Sequence, residues 1–82
     1  MTFKIEQTKL SQLQAGEQAR LIGIDDDYSQ KAFLQELGFT QNAAIQMIRK
    51  APWGDPLQIR IRDSDFVLRR SDAEAIQIER LP

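Results

Sequence analysis

The sequence contains no cysteine and no histidine. Without cysteine it can form neither disulfides nor thiolate metal sites, and without histidine it lacks the usual general base near neutral pH. These two residues are also the commonest ligands of zinc, copper and haem iron. We therefore expect neither an enzyme nor a metal carrier, and predict no catalytic residue, no metal site and no cofactor.

An excess of positive charge and long apolar segments are also missing. The formal net charge is -1, whereas nucleic-acid-binding domains are usually markedly basic. No more than three apolar residues occur in a row, far fewer than the roughly 20 that span a bilayer. The N-terminal residues do not form the apolar core of a secretory signal. We expect a cytoplasmic protein that binds no nucleic acid and does not insert into membranes; its oligomeric state stays open.

Short alternating segments dominate the 82 residues, which we interpret as one domain, residues 1–82, with residues 1–7 as an extended lead-in or edge strand containing Phe3 and Ile5. Thr8 is the expected N-cap of a short helical turn, and Ser71 that of another with Ser-x-x-Glu spacing. The alternation predicts a mainly β fold, a small closed SH3-like barrel. Its five predicted strands are 18–24, 44–50, 57–62, 66–70 and 76–79.

One amphipathic helix is predicted between the first two of these strands. Phe33, Leu34 and Leu37 share one face, and Ser29 is a plausible N-cap. Gly38 lies where a left-handed residue would end the helix, and Phe39 would then fold back onto the apolar face. Leu37, Gly38 and Phe39 therefore predict a Schellman-type stop.

Three consecutive aspartates, Asp25, Asp26 and Asp27, follow the first strand. Calcium or iron binding is one interpretation, but three adjacent residues cannot all point at one ion, and the spacing of a helix-loop-helix calcium site is absent. Turn formation and proximity to the positive end of the helix explain the cluster better.

The sequence Ala-Pro-Trp-Gly-Asp-Pro, residues 51–56, separates two alternating strands and predicts a hairpin loop. Pro52 suits the first central position of a type I turn and Gly54 its last position. Trp53 then lies where solvent is expected. Its ring either folds back over the rim of the barrel or remains exposed as an anchor for a partner.

Several short motifs occur in an order and spacing that resemble the FeoA family of ferrous iron transport proteins, over nearly the whole chain after Lys9. Asn42 and Ser64 replace glycines that are usual in the family, and asparagine tolerates the same dihedral angles. The matching segments are Leu10-Ser11-Gln12-Leu13-Gln14-Ala15-Gly16, Gly23-Ile24, Leu34-Gln35-Glu36-Leu37-Gly38, Ala51-Pro52-Trp53-Gly54-Asp55-Pro56, Ile59-Arg60-Ile61 and Val67-Leu68-Arg69.

This resemblance implies an accessory or regulatory role in bacterial ferrous iron uptake, through contact with FeoB, a membrane iron permease that carries a GTP-binding domain. Arginines are expected on the outer face of neighbouring strands, either as solvated surface or as a charged surface that steers an acidic partner. One of them could also stimulate GTP hydrolysis in trans. The predicted contact residues are Pro52, Trp53, Gly54, Asp55, Arg60, Arg62 and Arg69, with Arg49, Lys50 and Arg70 near the strand ends.

Two other functions stay open. SH3-like domains similar to this chain occur at the C-termini of iron-dependent repressors, so the protein could be a free-standing interaction module of that kind. Peptide binding in the manner of signalling SH3 domains would need a groove lined by aromatic side chains. We assign most of the six aromatic residues to the core, which disfavours such a groove.

Overall fold

The computed structural model describes residues 6–81, so the predictions for Phe3 and Ile5 lie outside the described residues. Six strands and two short α-helices make up this part of the chain. In order they are β1 (Glu6–Lys9), a 3₁₀ turn (Leu10–Gln12), β2 (Gln18–Ile24), α1 (Lys31–Glu36), β3 (Ala44–Lys50), β4 (Leu57–Ile61), β5 (Ser64–Leu68), α2 (Arg70–Glu74) and β6 (Ile76–Arg80).

All six strands form one antiparallel sheet in the order β1-β6-β2-β3-β4-β5. β1 is a strand beyond the five predicted, and it includes Thr8, which pairs with Ile78 rather than capping a helix. The prediction of Thr8 as an N-cap is therefore wrong. Within the described part of the chain, β5 pairs with β4 alone, so the ladder does not close between β5 and β1.

The core lies inside the curve of this sheet, under the 3₁₀ turn and α1. Alternation along β4 and β6 places every second side chain inside, as predicted. In β2 a bulge between Leu21 and Gly23 interrupts the alternation. Ala19 and Leu21 before the bulge and Ile24 after it are therefore all buried, although simple alternation would place Ile24 on the opposite face from Leu21. The largest fully buried side chains are Leu10, Leu13, Leu21, Phe39, Ile45, Met47, Leu57, Ile59, Ile61, Ile76 and Ile78.

The end of α1 has the predicted geometry. The Phe39 N–H donates to the Leu34 carbonyl at 3.0 Å, and the Gly38 N–H donates to the Gln35 carbonyl at 3.1 Å. Gly38 has φ of 110°, and Phe39 is 1% exposed. These two hydrogen bonds define a Schellman motif, so the predicted stop is confirmed. At the other end the cap is Gln30 without a side-chain hydrogen bond, and the prediction of Ser29 as the N-cap is wrong.

The turn between β4 and β5 begins one residue earlier than the predicted strands 57–62 and 66–70 imply. Arg62 and Asp63 have φ of 50° and 66°, and Ile61 pairs with Ser64. Two central residues with positive φ are typical of a type I′ hairpin turn, whose twist matches that of the strands. Ser64 therefore begins β5, and Arg62 lies in the turn rather than on the outer face of a strand.

Candidate interaction surface

The hairpin loop between β3 and β4 presents the most exposed large apolar side chain of the described residues. The Gly54 N–H donates to the Ala51 carbonyl at 2.7 Å, which closes the predicted turn around Pro52 and Trp53. Gly54 follows with φ of 80°. Trp53 is 87% exposed, so its ring projects into solvent and does not fold back over the sheet.

Asp55 attaches this loop to the start of α2. Its Oδ1 accepts a hydrogen bond from the Arg70 N–H at 3.1 Å. That N–H belongs to the first turn of α2 and has no partner within the helix, so Asp55 supplies one from a distant segment. Arg69, the N-cap of α2, directly precedes Arg70. The contact therefore brings the Trp53 loop to the same end of the sheet as Arg69.

The outer face beside the loop carries Arg49, Gln58 and Val67, which are aligned across β3, β4 and β5. Val67 is 70% exposed, and Arg49 is exposed. Together with Pro56 they line a shallow cavity of about 120 Å³. This end of the sheet thus combines two exposed apolar side chains, Trp53 and Val67, with the cations Arg49 and Arg69, which form no ion pair within residues 6–81.

Arg60 is on the outer face, as predicted, but it is already paired. Its guanidinium donates to both carboxylate oxygens of Asp65, at 2.7 Å and 3.2 Å. The hydrogen bond from Arg60 lowers the pKa of the Asp65 carboxyl and raises the pKa of Arg60 itself. The two opposite charges largely neutralise each other, so this position contributes little net positive field.

Arg62 turns away from the outer face and holds the end of α1. Its Nε donates to the Gly38 carbonyl at 3.0 Å, and its second guanidinium nitrogen donates to the Thr40 hydroxyl at 2.5 Å. The end of β4 that meets the hairpin loop is Leu57. Arg62 is five residues farther along the chain, which corresponds to about 16 Å in an extended strand. The predicted contact residues therefore separate into two groups: Pro52, Trp53, Gly54, Asp55 and Arg69 at one end of the sheet, and Arg60 and Arg62 toward the other.

A groove of about 530 Å³ separates α1 from β5, and sequence reasoning missed it. Its walls include Tyr28 and Phe33 on one side and Phe66 on the other. Phe33 is 57% exposed, and Phe66 packs edge-on against Phe39 with 5.5 Å between ring centres. The assignment of most aromatic residues to the core holds in part: among those the structure describes, Phe39 is buried, Tyr28 and Phe66 are half-buried and pack against the core, and Phe33 and Trp53 are exposed. Of the apolar face that periodicity assigns to α1, Leu34 is buried, whereas Phe33 is exposed beside the groove.

Asp72, in α2, also lines this groove. Its carboxylate accepts hydrogen bonds from the Tyr28 hydroxyl and from the Arg69 N–H, the latter at 3.1 Å. Asp72 thus caps the Arg69 N–H, so the N-cap of α2 lies two residues before that of the predicted Ser71–Glu74 capping box, and the prediction of Ser71 as the N-cap is wrong. The reason is that Arg69 is the first residue outside the helix, whereas Ser71 already lies within it.

The three aspartates after β2 point to different partners. Asp25 accepts from the Gln77 amide at 3.0 Å, and Asp26 pairs with Lys31, whose hydrogen bond lowers the pKa of the Asp26 carboxyl. Asp27 is exposed. Across residues 6–81, no three acidic side chains are grouped so that they could hold a metal ion.

Neither helix in the described range is long and apolar enough to cross a membrane.

Comparison with known proteins gives consistent results. Residues 8–80 match the sequence model of the FeoA domain. A fusion of Fe(2+) transport protein A with the Fe(2+) transporter FeoB, from Porphyromonas gingivalis, is 34% identical over 71 residues; these are 87% of this chain and 8% of that protein. An FeoA-like protein from Clostridium acetobutylicum is 28% identical, with a TM-score of 0.86 and coverage of 100% of this chain and 92% of that one.

Two further structures bear on the fold. FeoA from Stenotrophomonas maltophilia, crystallised with zinc and described as an SH3 domain protein, is 29% identical, with a TM-score of 0.75 and coverage of 87% and 88% of the two chains. A manganese-dependent transcriptional repressor matches 99% of this chain over 45% of its own, with a TM-score of 0.83 and 15% identity. The prediction of an SH3-like fold is confirmed, and the repressor shares that fold.

Proposed function

Because the chain belongs to the FeoA family, whose members take part in ferrous iron transport, we propose that it is a cytoplasmic, non-catalytic accessory protein that regulates a FeoB-type iron permease by direct contact. The observation that carries this proposal is the fusion protein of Porphyromonas gingivalis, in which such a domain and FeoB are one polypeptide. Covalent linkage keeps two domains at high effective concentration, which favours domains that act on each other.

The contact surface that we propose consists of Trp53 and its loop together with Arg49, Val67 and Arg69. Trp53 is the expected anchor, since its ring is 87% exposed and an interface would cover it. Burial of a tryptophan removes about 150–250 Å² from water, worth at most roughly 4–6 kcal/mol at about 25 cal/mol per Å². The exposed guanidinium of Arg69 adds attraction to an acidic partner surface.

This assignment revises the contact set predicted from the sequence. Arg60 and Arg62 each donate two hydrogen bonds within the protein, so a partner would have to displace Asp65 or the end of α1 to use them. Arg69 and Arg49 form no ion pair within the described residues, so a partner can contact them without displacing another side chain. We therefore place the partner at the Trp53 end of the sheet and assign Arg60 and Arg62 to stabilising the fold.

A titration tests the proposal. The protein is added to the full-length FeoB-type transporter of the same organism in nanodiscs, with and without a GTP analogue, and binding is measured by calorimetry. We expect saturable binding that Trp53→Ala weakens about 30-fold, the equivalent of the roughly 2 kcal/mol lost at a binding hot spot. Arg20→Glu on β2, an exposed cation distant from the loop, is the matched control for Arg69→Glu.

Absence of binding in both nucleotide states would contradict the proposal. Binding that Trp53→Ala and Arg69→Glu leave unchanged would contradict the assigned surface. Nucleotide-dependent binding would support a regulatory role, and the rate of GTP hydrolysis measured in the same sample would show whether an arginine of this chain stimulates it.

A further inference from the structure

β5 is an edge strand whose outward backbone groups have no partner in the described range. Its register with β4 begins at the two-residue turn, where Ile61 faces Ser64. In such a hairpin the facing pairs alternate between hydrogen-bonded and non-hydrogen-bonded, so Asp65 and Val67 direct their N–H and C=O groups away from β4. No backbone group of residues 64–68 hydrogen-bonds elsewhere within residues 6–81.

The groove of about 530 Å³ runs directly along this edge. Residues 66–69 form one wall, and Phe33, Leu34 and Leu37 of α1 and its end form the other. After Trp53, Val67 and Phe33 are the most exposed large apolar side chains of the described residues, at 70% and 57%. The groove therefore offers, side by side, free backbone hydrogen-bonding groups and apolar walls, the combination that an added strand requires.

Charge restricts what can occupy the groove. Two charged side chains line the groove: Arg69, which follows β5, and Asp72, in α2. Both carboxylate oxygens of Asp72 accept hydrogen bonds from neutral donors, the Tyr28 hydroxyl and the Arg69 N–H, which hold the carboxylate at the start of α2 and leave its charge in place. The Arg69 guanidinium is exposed and has no ion-pair partner in the described chain. The end of β5 next to the Trp53 loop therefore favours an acidic group on the occupant.

We propose that β5 accepts an extended segment of a partner protein as a seventh strand, with apolar side chains between Phe33 and Phe66 and an acidic side chain at Arg69. This inference rests on the proposed function, and the segment belongs to the FeoB-type transporter. The backbone of Asp65 and Val67 supplies affinity, and the aromatic walls select alternate side chains of the segment. The groove continues the Trp53 surface, because Val67 lines both the groove and the cavity beside the loop.

The test uses overlapping 12-residue peptides that cover the cytoplasmic segments of that transporter, with affinity measured by fluorescence anisotropy. Val67→Pro removes the outward N–H but no hydrogen bond to β4, and proline is tolerated at such edge positions. Val67→Ala is the matched control, because it shortens the side chain and keeps the N–H. We expect Val67→Pro and Arg69→Glu each to weaken the binding peptide about tenfold or more, and Val67→Ala less than about threefold.

A second measurement does not depend on the folding of any variant. N-methylation of alternate residues of the binding peptide should abolish binding for the set that faces β5 and spare the other set, since neighbouring residues of a strand direct their N–H groups to opposite sides. Equal effects of both sets would overturn the strand model.

The outcomes separate this inference from the proposed function. If the full-length transporter binds but Val67→Pro, Arg69→Glu and the peptides have no effect, strand addition is wrong and the accessory role stands. If the transporter does not bind at all, both fall. Self-association in sedimentation that Val67→Pro abolishes would identify a second copy of this chain as the occupant and overturn the assignment to the transporter.

Discussion

Replacement of Gly38 by alanine tests how the end of α1 is held. With φ of 110°, an L-residue at this position is strained by about 1–2 kcal/mol. A Cβ atom would also lie 3.1 Å from Cδ of Arg62. To make room, the Arg62 side chain would have to shift by a few tenths of an ångström, which weakens its hydrogen bonds to the Gly38 carbonyl and the Thr40 hydroxyl, each worth about 0.5–1.5 kcal/mol. We expect Gly38→Ala to lower the free energy of unfolding by about 2–4 kcal/mol.

Two other glycines are matched controls. Gly16 has φ of 87°, and a Cβ atom added there would meet nothing within 4 Å, so Gly16→Ala should show the backbone strain alone, about 1–2 kcal/mol. Gly23 has ordinary dihedral angles and open space, so Gly23→Ala should change the free energy of unfolding by at most about 0.5 kcal/mol. For a domain of this size the melting temperature should fall by about 10–20 °C for Gly38→Ala and about 5–10 °C for Gly16→Ala.

Urea unfolding followed by circular dichroism is the suitable assay, because the single tryptophan is already 87% exposed in the folded protein and its fluorescence would change little. A double-mutant cycle with Arg62→Ala isolates the side-chain part: without Arg62, the cost of Gly38→Ala should fall to that of Gly16→Ala. If Gly38→Ala costs no more than Gly16→Ala, or if its cost is the same without Arg62, the reasoning is refuted.

Three further predictions concern the surface. Asp55→Ala should lower the free energy of unfolding by about 1 kcal/mol, measured in urea, because the Arg70 N–H loses its partner; an unchanged midpoint would contradict this role. Trp53→Ala should leave the melting temperature within about 2 °C of wild type, since the ring is 87% exposed. The lowered pKa of Asp65 means that its pairing with Arg60 stabilises the fold above the unfolded pKa near 3.8 and is lost as pH falls through the folded value. Wild type and Asp65→Asn should therefore converge in melting temperature below that range, and high salt should reduce the difference at neutral pH because the pair is exposed.

Local chemistry explains why some elements could be predicted from the sequence. Gly38 and Phe39 define the end of α1 through hydrogen bonds that reach back no more than five residues. The alternation of Leu57, Ile59 and Ile61 requires only the period of a strand, and the turn around Trp53 follows from the residues that flank it. Each of these features depends on neighbours along the chain.

The features that were missed depend on contacts between distant segments. Arg62 is expected on an outer face because the pattern extends the strand to residue 62; the type I′ turn begins there instead, so strand alternation does not set the direction of its side chain. The link from Asp55 to Arg70 spans 15 positions and has no local signature. The aromatic groove was missed because helical periodicity indicates which residues share a face but not how much of that face neighbouring elements cover.

The arginines show how register, rather than composition, distributes charge on this fold. Arg60 and Arg62 are near one hairpin turn and are held by Asp65 and by the end of α1, so they contribute to stability at that end of the sheet. Arg69 lies beyond β5 at the opposite end, beside the loop of Trp53, and its guanidinium has no ionic partner within the described residues. At the first end, Arg60 and Arg62 are hydrogen-bonded within the protein. At the second end, Trp53 and Val67 are exposed. A partner that approaches the second end buries apolar surface without breaking the Arg60–Asp65 ion pair or the hydrogen bonds of Arg62, which is why we place the contact there.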